Sequence, residues 1–433
     1  MLFVNFELEL NPEQHQEQKL DERKKSSPPN LVPSIFSNVP KVNLHRPLEV
    51  QFLNDDFPMK VDLMDISSRE TVGSLWKIPI VDFARKIICN DEILNKEYLS
   101  PLGLQSFRTA VVTMLLGHDH EAIIERRCFA VQTLSRTGAL RLVAEYLLTF
   151  DNCKEAYISA YGDYRHEEIF QQAGFKTLPK YRHWNHVVKK FDFKCFVEDL
   201  KDAPQGSAIL FHACGYDGCD PSKQDWGMVA KFLKRKGMVP IFDIGCQGFA
   251  TGDMNEDVWS VRLFISYGFE LFCIKNAGRT FGLYNTCIGS LTVVSDNALK
   301  VIPMKYKFVQ LIGAMYHSPP AHGALVISYI LNNHDAYTEW IGNFMMFSKT
   351  VNQMRELLRS TLECMCTPGD WSFFTDQKGY FTYTSFSKNQ IKYLREVHHV
   401  YMVPSGKLSM MGVTPLNVEY IAFAMKDTVI NVL

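Results

Sequence analysis

At 433 residues, the chain is long enough for one large two-part subunit or two to three domains, and its 46% hydrophobic and 21% charged content is that of a globular protein. Its 46 Lys and Arg balance 47 Asp and Glu to a net charge of −1, so no overall field draws it to nucleic acid or an anionic membrane, although a local pocket can still take a small anion. Apolar runs such as 324–327 fall far short of the roughly 20 residues of a spanning helix, and the N-terminus lacks the basic stretch and apolar run of a secretory signal. Eleven scattered cysteines, an odd number, point to a reduced, intracellular protein.

The start of the chain stands apart. Residues 11–30 are rich in Gln, Glu, Lys, Ser and Pro and end on Pro28-Pro29, a composition that cannot bury a core. Residues 1–33 therefore read as a disordered extension, with only some strand-like alternation over 1–10. From about 75 to 331, helical and strand patterns alternate. Leu104, Phe107, Val111 and Leu115 recur at helical spacing, as do Leu140, Val143, Leu147 and Leu148. Between helices lie short apolar runs at 157–160, 208–211, 239–242, 271–274 and 291–294, each suited to a strand buried on both faces. That alternation predicts an α/β fold with a mainly parallel sheet under helices. Further on, 337–362 predicts a long helix, 381–384 a strand, 389–397 a helix, and 401–403 a strand before the turn Pro404-Ser405-Gly406. Together these make a smaller α+β domain.

In an open α/β sheet, ligands bind beyond the carboxyl ends of the strands. Asp163 follows the first run, His212 and Asp217 the second, Asp243 the third, and Lys275 and Arg279 the fourth. These groups are expected to converge on one site. The plain alternative is that polar residues end strands everywhere.

Several ordered stretches carry more information. They are Asn95-Lys-Glu-Tyr-Leu with Pro101-Leu-Gly-Leu; Val131-Gln-Thr-Leu with Thr137-Gly-Ala-Leu-Arg; His212-Ala-Cys; Phe242-Asp243 with Gln247-Gly-Phe-Ala; Phe281-Gly-Leu-Tyr-Asn; Ser318-Pro-Pro-Ala; and Val403-Pro-Ser-Gly. In order and spacing they resemble the aspartate aminotransferases, class I pyridoxal-phosphate-dependent enzymes, and most of all the cytoplasmic branch. The likeness runs from about 34 to 433. It implies fold type I, with a mainly parallel seven-stranded sheet in a large cofactor-binding domain over 76–344. It also implies a small α+β domain from 48–75 and 345–433, and an N-terminal arm at 34–47. The implied protein is a cytoplasmic homodimer that transfers an amino group between L-aspartate and 2-oxoglutarate, giving oxaloacetate and L-glutamate.

That chemistry needs a lysine amine for a Schiff base, a carboxylate facing the pyridine nitrogen, a helix N-terminus with hydroxyls and an arginine for the phosphate, and two cations for the substrate carboxylates. By resemblance, Asp243 is the ring carboxylate and His166 supports it. Thr137 binds the phosphate, Tyr98 reaches the partner subunit's phosphate, and Lys407 stands for the α-carboxylate arginine. From the residues alone, Asp243 could be a cap or turn residue, His166 a surface residue, Tyr98 interface packing, and Ser135 or Thr137 an N-cap.

The departures are numerous. Counting from Phe281-Gly-Leu-Tyr-Asn, the Schiff-base lysine position is Arg279, whose guanidinium stays protonated and offers neither a free amine nor a base. The phosphate arginine is Cys287, the tyrosine and asparagine at the phenolic oxygen are Cys246 and Asp217, and the stacking tryptophan is Asp163. The phosphate-loop glycine is Arg136, read as a partial replacement for the missing phosphate charge, and the distal-carboxylate arginine is Gly313. Losing the carboxylate contacts at Lys407 and Gly313 costs about 1.5–3 kcal/mol each. Lys275, about 13 Å from Arg279 along an extended chain, is the weak candidate for a substitute lysine.

Three functions follow: an aspartate aminotransferase impaired in its chemistry; a non-catalytic partner, as a homodimer or as a heterodimer with an active paralogue to which it lends Tyr98; or a binder of a different, more cationic ligand between Asp163, Asp217, Asp243 and Arg279. An amino acid or oxo acid is the expected small ligand. His212, Cys214, Cys219 and Asp220 lack the spacing of a metal site, so no metal is expected.

Overall fold

In chain order the strands are β1 (Val61–Asp62), β2 (Cys128–Leu134), β3 (Ala156–Ser159), β4 (Lys180–Tyr181), β5 (Trp184–Asn185), β6 (Lys190–Phe191), β7 (Ala208–Ala213), β8 (Val239–Ile244), β9 (Leu271–Lys275), β10 (Ile288–Val294), β11 (Phe381–Tyr383), β12 (Val400–Tyr401) and β13 (Lys407–Ser409). The computed structural model describes residues 48–64, 76–214, 218, 220–245 and 247–432. The expectations for 1–47, Asp217, Cys219 and Cys246 lie outside the described residues. Within these, 48–56, which hold the helix Leu48–Leu53, form one unit and 57–432 another.

A seven-stranded sheet, in the order β2-β10-β9-β8-β7-β3-β4, organises the larger unit. Strands β4, β3, β7, β8 and β9 run parallel, and β10 lies antiparallel to both β9 and β2. The apolar runs read as strands because both faces are covered; β7, for example, is buried along its whole length. The pleat divides each strand between two cores. Ile241 and Ile274 join Leu140, Val143 and Leu147 from the helix Ser135–Phe150 in one core. Phe242, Ile244 and Cys273 join Val229 and Leu233 from the helix Lys223–Lys236 in the other. Ser222 and Asp225 form a capping box that starts that second helix, and Gly237 ends it in the left-handed conformation.

Sequence periodicity missed β2 as a strand because Gln132 and Thr133 interrupt its apolar run. Both are buried and usefully bonded: Gln132 Oε1 accepts from the Leu104 amide at 3.0 Å, and its Nε2 donates to the Pro320 carbonyl at 2.7 Å. β10 also begins three residues earlier than its apolar run suggests.

Toward the C-terminus, the helix His334–Cys364 lies next to an antiparallel pair, β11 with β13. β1 pairs in parallel with β12, which follows the helix Lys388–His398. Arg355 ties this region together. It is buried and donates to the carbonyls of Phe374, Gly379 and Phe381 and to Thr382 Oγ1, at 2.7–2.9 Å. Among the described residues, no helix is long and apolar enough to cross a membrane.

Candidate functional site

Asp243, near the carboxyl end of β8, is 0% exposed. Its register partner on β7 is His212, so the two side chains leave the sheet on the same face. That face is the one covered by the helix Ser135–Phe150, whose first turn carries Arg136. Beyond β3, Asp163 caps the helix Tyr164–Ala173, accepting from the Arg165 amide, and His166 lies in that helix's first turn.

These residues form one buried polar cluster. Arg136 Nη1 lies 3.3 Å from Asp243 Oδ2, and Nη2 donates to Asp163 Oδ2 at 2.9 Å. His166 Nε2 stands 3.3 Å from Asp243 Oδ2 and 3.2 Å from Arg136 Nη2, while its Nδ1 is 3.1 Å from His212 Nε2. Arg165 holds Asp163 from the other side with Nε and Nη2, at 2.8–3.1 Å. Burial acts to raise the Asp163 pKa, but the hydrogen bonds from Arg165 and the charges of Arg136 and Arg165 outweigh it and hold the carboxyl far below its usual range. For Asp243, burial is likewise overcome by the Arg136 charge and the His166 contact, and the pKa is lowered. Burial, with the neighbouring His212 and Arg136, lowers His166 to about 4 despite the Asp243 contact. The cluster at neutral pH is therefore two carboxylates with Arg136 between them and Arg165 on the outer side of Asp163, with His166 uncharged.

The helix start is pinned from below. The Ser135 amide donates to the Cys287 carbonyl at 2.6 Å, with Ser135 at φ +61° and Cys287 at φ +47°. Thr133 Oγ1 donates to the Ser135 carbonyl at 2.9 Å, and a Cβ on Gly289 would come within 2.4 Å of that oxygen. Neither Ser135 nor Thr137 caps the helix: the cap position is Leu134, which makes no side-chain bond, and Thr137 is exposed.

Arg136 requires a correction. Read from sequence as a substitute phosphate cation, it turns instead to Asp163 and Asp243. The signal was present in the sequence as two departures of opposite charge, at 136 and 163. The expected convergence also holds only in part. Asp163, His212 and Asp243 come together, but Lys275 is paired in register with Ile244 and so leaves the opposite face from Asp243. There it is buried, with Nζ bonded to Gln247 Oε1, and burial lowers its pKa to about 8. That placement separates its amine from the Asp243 face of the sheet.

Arg279 lies in the short turn Ala277–Thr280, where Asn276 Oδ1 accepts its amide at 3.1 Å. Its side chain is buried, with Cζ 5.6 Å from the centre of the Tyr380 ring. Lys407 is buried on β13 opposite Tyr383. Tyr98 is 83% exposed and meets the His317 ring edge-on at 5.3 Å. Gly313 leaves open space on the helix Ala298–Met315. Donor atoms of His166, His212 and Asp243 lie within 4.8 Å of one another, the spacing of a metal site. The Arg136 guanidinium, however, already faces the Asp243 oxygen that would ligate, and the two imidazoles face each other. The Cys214 amide donates to Asp220 Oδ1 at 2.9 Å.

A parallel-centred sheet of this order, with a carboxylate near the end of β8 and a pinned helix start beside it, is the large-domain architecture of fold type I transferases. The chain belongs to the class I and II aminotransferase family, which it matches over residues 79–425. Within that family it is an aspartate aminotransferase-like chain. It is 35% identical to the cytoplasmic aspartate aminotransferase of Gallus gallus, over 93% of this chain and 100% of the relative, and 36% identical to that of Caenorhabditis elegans, over 92% and 98%. The solved cytoplasmic aspartate aminotransferase of Saccharomyces cerevisiae superposes with a TM-score of 0.87 at 29% identity, covering 93% of this chain and 100% of that one. An aromatic-amino-acid aminotransferase from Burkholderia pseudomallei, covalently bound to pyridoxal phosphate, also gives 0.87, at 26% identity over 92% and 100%.

Proposed function

We propose that this chain keeps the frame of an aspartate aminotransferase but does not transfer amino groups between L-aspartate and 2-oxoglutarate. One observation carries the reading: the residue at the position of the Schiff-base lysine is Arg279, whose guanidinium neither gives up its proton nor offers a nucleophilic amine. The residues present do not fit covalently held pyridoxal phosphate. In addition to Arg279, the Arg136 guanidinium already faces Asp243, and Cys287, not an arginine, stands at the position the resemblance gives to the phosphate arginine. We assign Asp243, His166, Thr137, Tyr98 and Lys407 to the ancestral cofactor and substrate contacts, and place the protein in the cytoplasm, as its relatives' names suggest.

The test is to incubate the purified protein with pyridoxal phosphate, reduce it with borohydride, and map adducts by mass spectrometry, alongside a coupled aspartate and 2-oxoglutarate assay. The expected result is no stoichiometric lysine adduct and no turnover above background. A stoichiometric adduct, at Lys275 or elsewhere, with turnover at family-like rates would overturn the reading.

A second reading, that the chain serves as a subunit partner, is favoured by an exposed apolar surface. Tyr98 stands out from the chain, and Leu299, Ile302 and Tyr306 are exposed along the helix Ala298–Met315. We propose that this surface pairs with a second copy, or with an active paralogue to whose site Tyr98 contributes.

A further inference from the structure

Four separate elements build the cluster around Asp243: the end of β8, the end of β7, the start of the helix Ser135–Phe150, and the start of the helix Tyr164–Ala173. Two of its carboxylates face one guanidinium. Asp163 is clamped in place by Arg165, and Asp243 is fixed by its strand. The complementarity is uneven. Arg136 Nη2 makes an aligned hydrogen bond to Asp163, but Nη1, although 3.3 Å from Asp243 Oδ2, makes no aligned hydrogen bond there. Asp243 Oδ1 is fully buried and accepts no hydrogen bond among the described residues. Buried acceptors without donors are rare in native proteins and mark places shaped for something further. The carboxylate is thus held by charge and left short of hydrogen bonds, in a slot walled by planar nitrogen groups.

We infer that Arg136 is a resident ligand: its guanidinium fills, from within the chain, a buried site for a planar monocation between Asp163 and Asp243. While it is there, external cations are shut out. When the side chain is removed, the site takes up a planar cation from solution. The ligand class is set by the walls: a flat, singly charged group with N–H donors in its plane, such as a guanidinium or a protonated pyridine. His166 does not supply the charge itself, because its environment keeps the imidazole neutral. The inference does not rest on the loss of amino transfer, since a ring could bind Asp243 without any covalent bond.

The test uses the full chain as wild type, Arg136→Gly, and the double variant Arg136→Gly/Asp243→Asn. Thermal melts are followed while methylguanidinium or pyridinium, the latter below its own pKa, is added at constant ionic strength, with sodium as the control. In Arg136→Gly, the planar cations should raise the melting temperature along a saturating curve, at least ~10-fold more tightly than any effect on wild type. Sodium should do nothing, and the response should vanish in the double variant. No shift in a folded Arg136→Gly chain, or an equal shift in wild type or in the double variant, would overturn the inference. If Arg136→Gly alone does not fold, the double variant must recover a cooperative melt, because it also removes the stranded carboxylate. A double variant as impaired as the single one overturns the inference as well.

Discussion

At the scale of single residues, most of the chemistry lies in charges placed where water cannot reach them. Lys275 is the clearest case for measurement. Burial lowers its folded pKa to about 8 from the ordinary 10.5, so the unfolded chain binds the proton more tightly. Its contribution to stability is therefore fully present above about pH 10.5 and is lost as pH falls toward 8. Relative to Lys275→Met, which lacks this linkage, the wild-type chain should gain up to about 3 kcal/mol between pH 8 and 10.5. Chemical denaturation of both chains across that range measures it, and a constant difference would show that the amine is not desolvated. Asp163 and Asp243 act in the same direction at a lower pH. Their lowered pKa values give stability that is present above the ordinary carboxylate range and lost on acidification below it.

At the scale of elements, one buried arginine fixes how the C-terminal strands meet their long helix. Arg355 reaches from the helix His334–Cys364 to three carbonyls and a hydroxyl around β11. Arg355→Ala would take a donor from each of those acceptors and open a cavity, costing about 3–5 kcal/mol. A fall in the urea midpoint with an unchanged m-value would report that loss. Because β11 pairs with β13, the same variant should also displace Lys407, which lies opposite Tyr383. The helix start at Ser135 depends in a similar way on a neighbour. Gly289 permits β10 to pass against the Ser135 carbonyl, where any Cβ would collide with backbone. The direction taken by the Arg136 side chain follows from that pinned turn.

For the whole molecule, the exposed row of Leu299, Ile302 and Tyr306, together with Tyr98, sets a prediction about assembly. Single exposed apolar residues are ordinary, but several along one helix are suited to an interface. Sedimentation velocity at micromolar concentration should find a dimer, and Ile302→Glu should shift it toward monomer while the far-ultraviolet spectrum stays the same. A wild-type chain that sediments as a monomer would remove the self-pairing proposal and leave the heterodimer to co-purification.

The sequence by itself determined the layered architecture, the C-terminal elements and the family. Apolar periodicity and ordered motifs are local patterns, and 157–160, 208–211, 239–242 and 271–274 all lie within or overlap strands of the sheet. It also singled out Arg279 as the proposed departure, because a motif position can be read by counting. Only the tertiary structure decided three things. β2 is a strand because buried partners satisfy Gln132, which no window of residues can show. Lys275 leaves the far face of the sheet because the pleat sends it there, whatever its distance along the chain. Arg136 meets Asp163 and Asp243 because the fold brings together residues 27 and 107 positions apart. Electrostatic pairing depends on separation in space and on exclusion of water, and a sequence specifies both only through its fold.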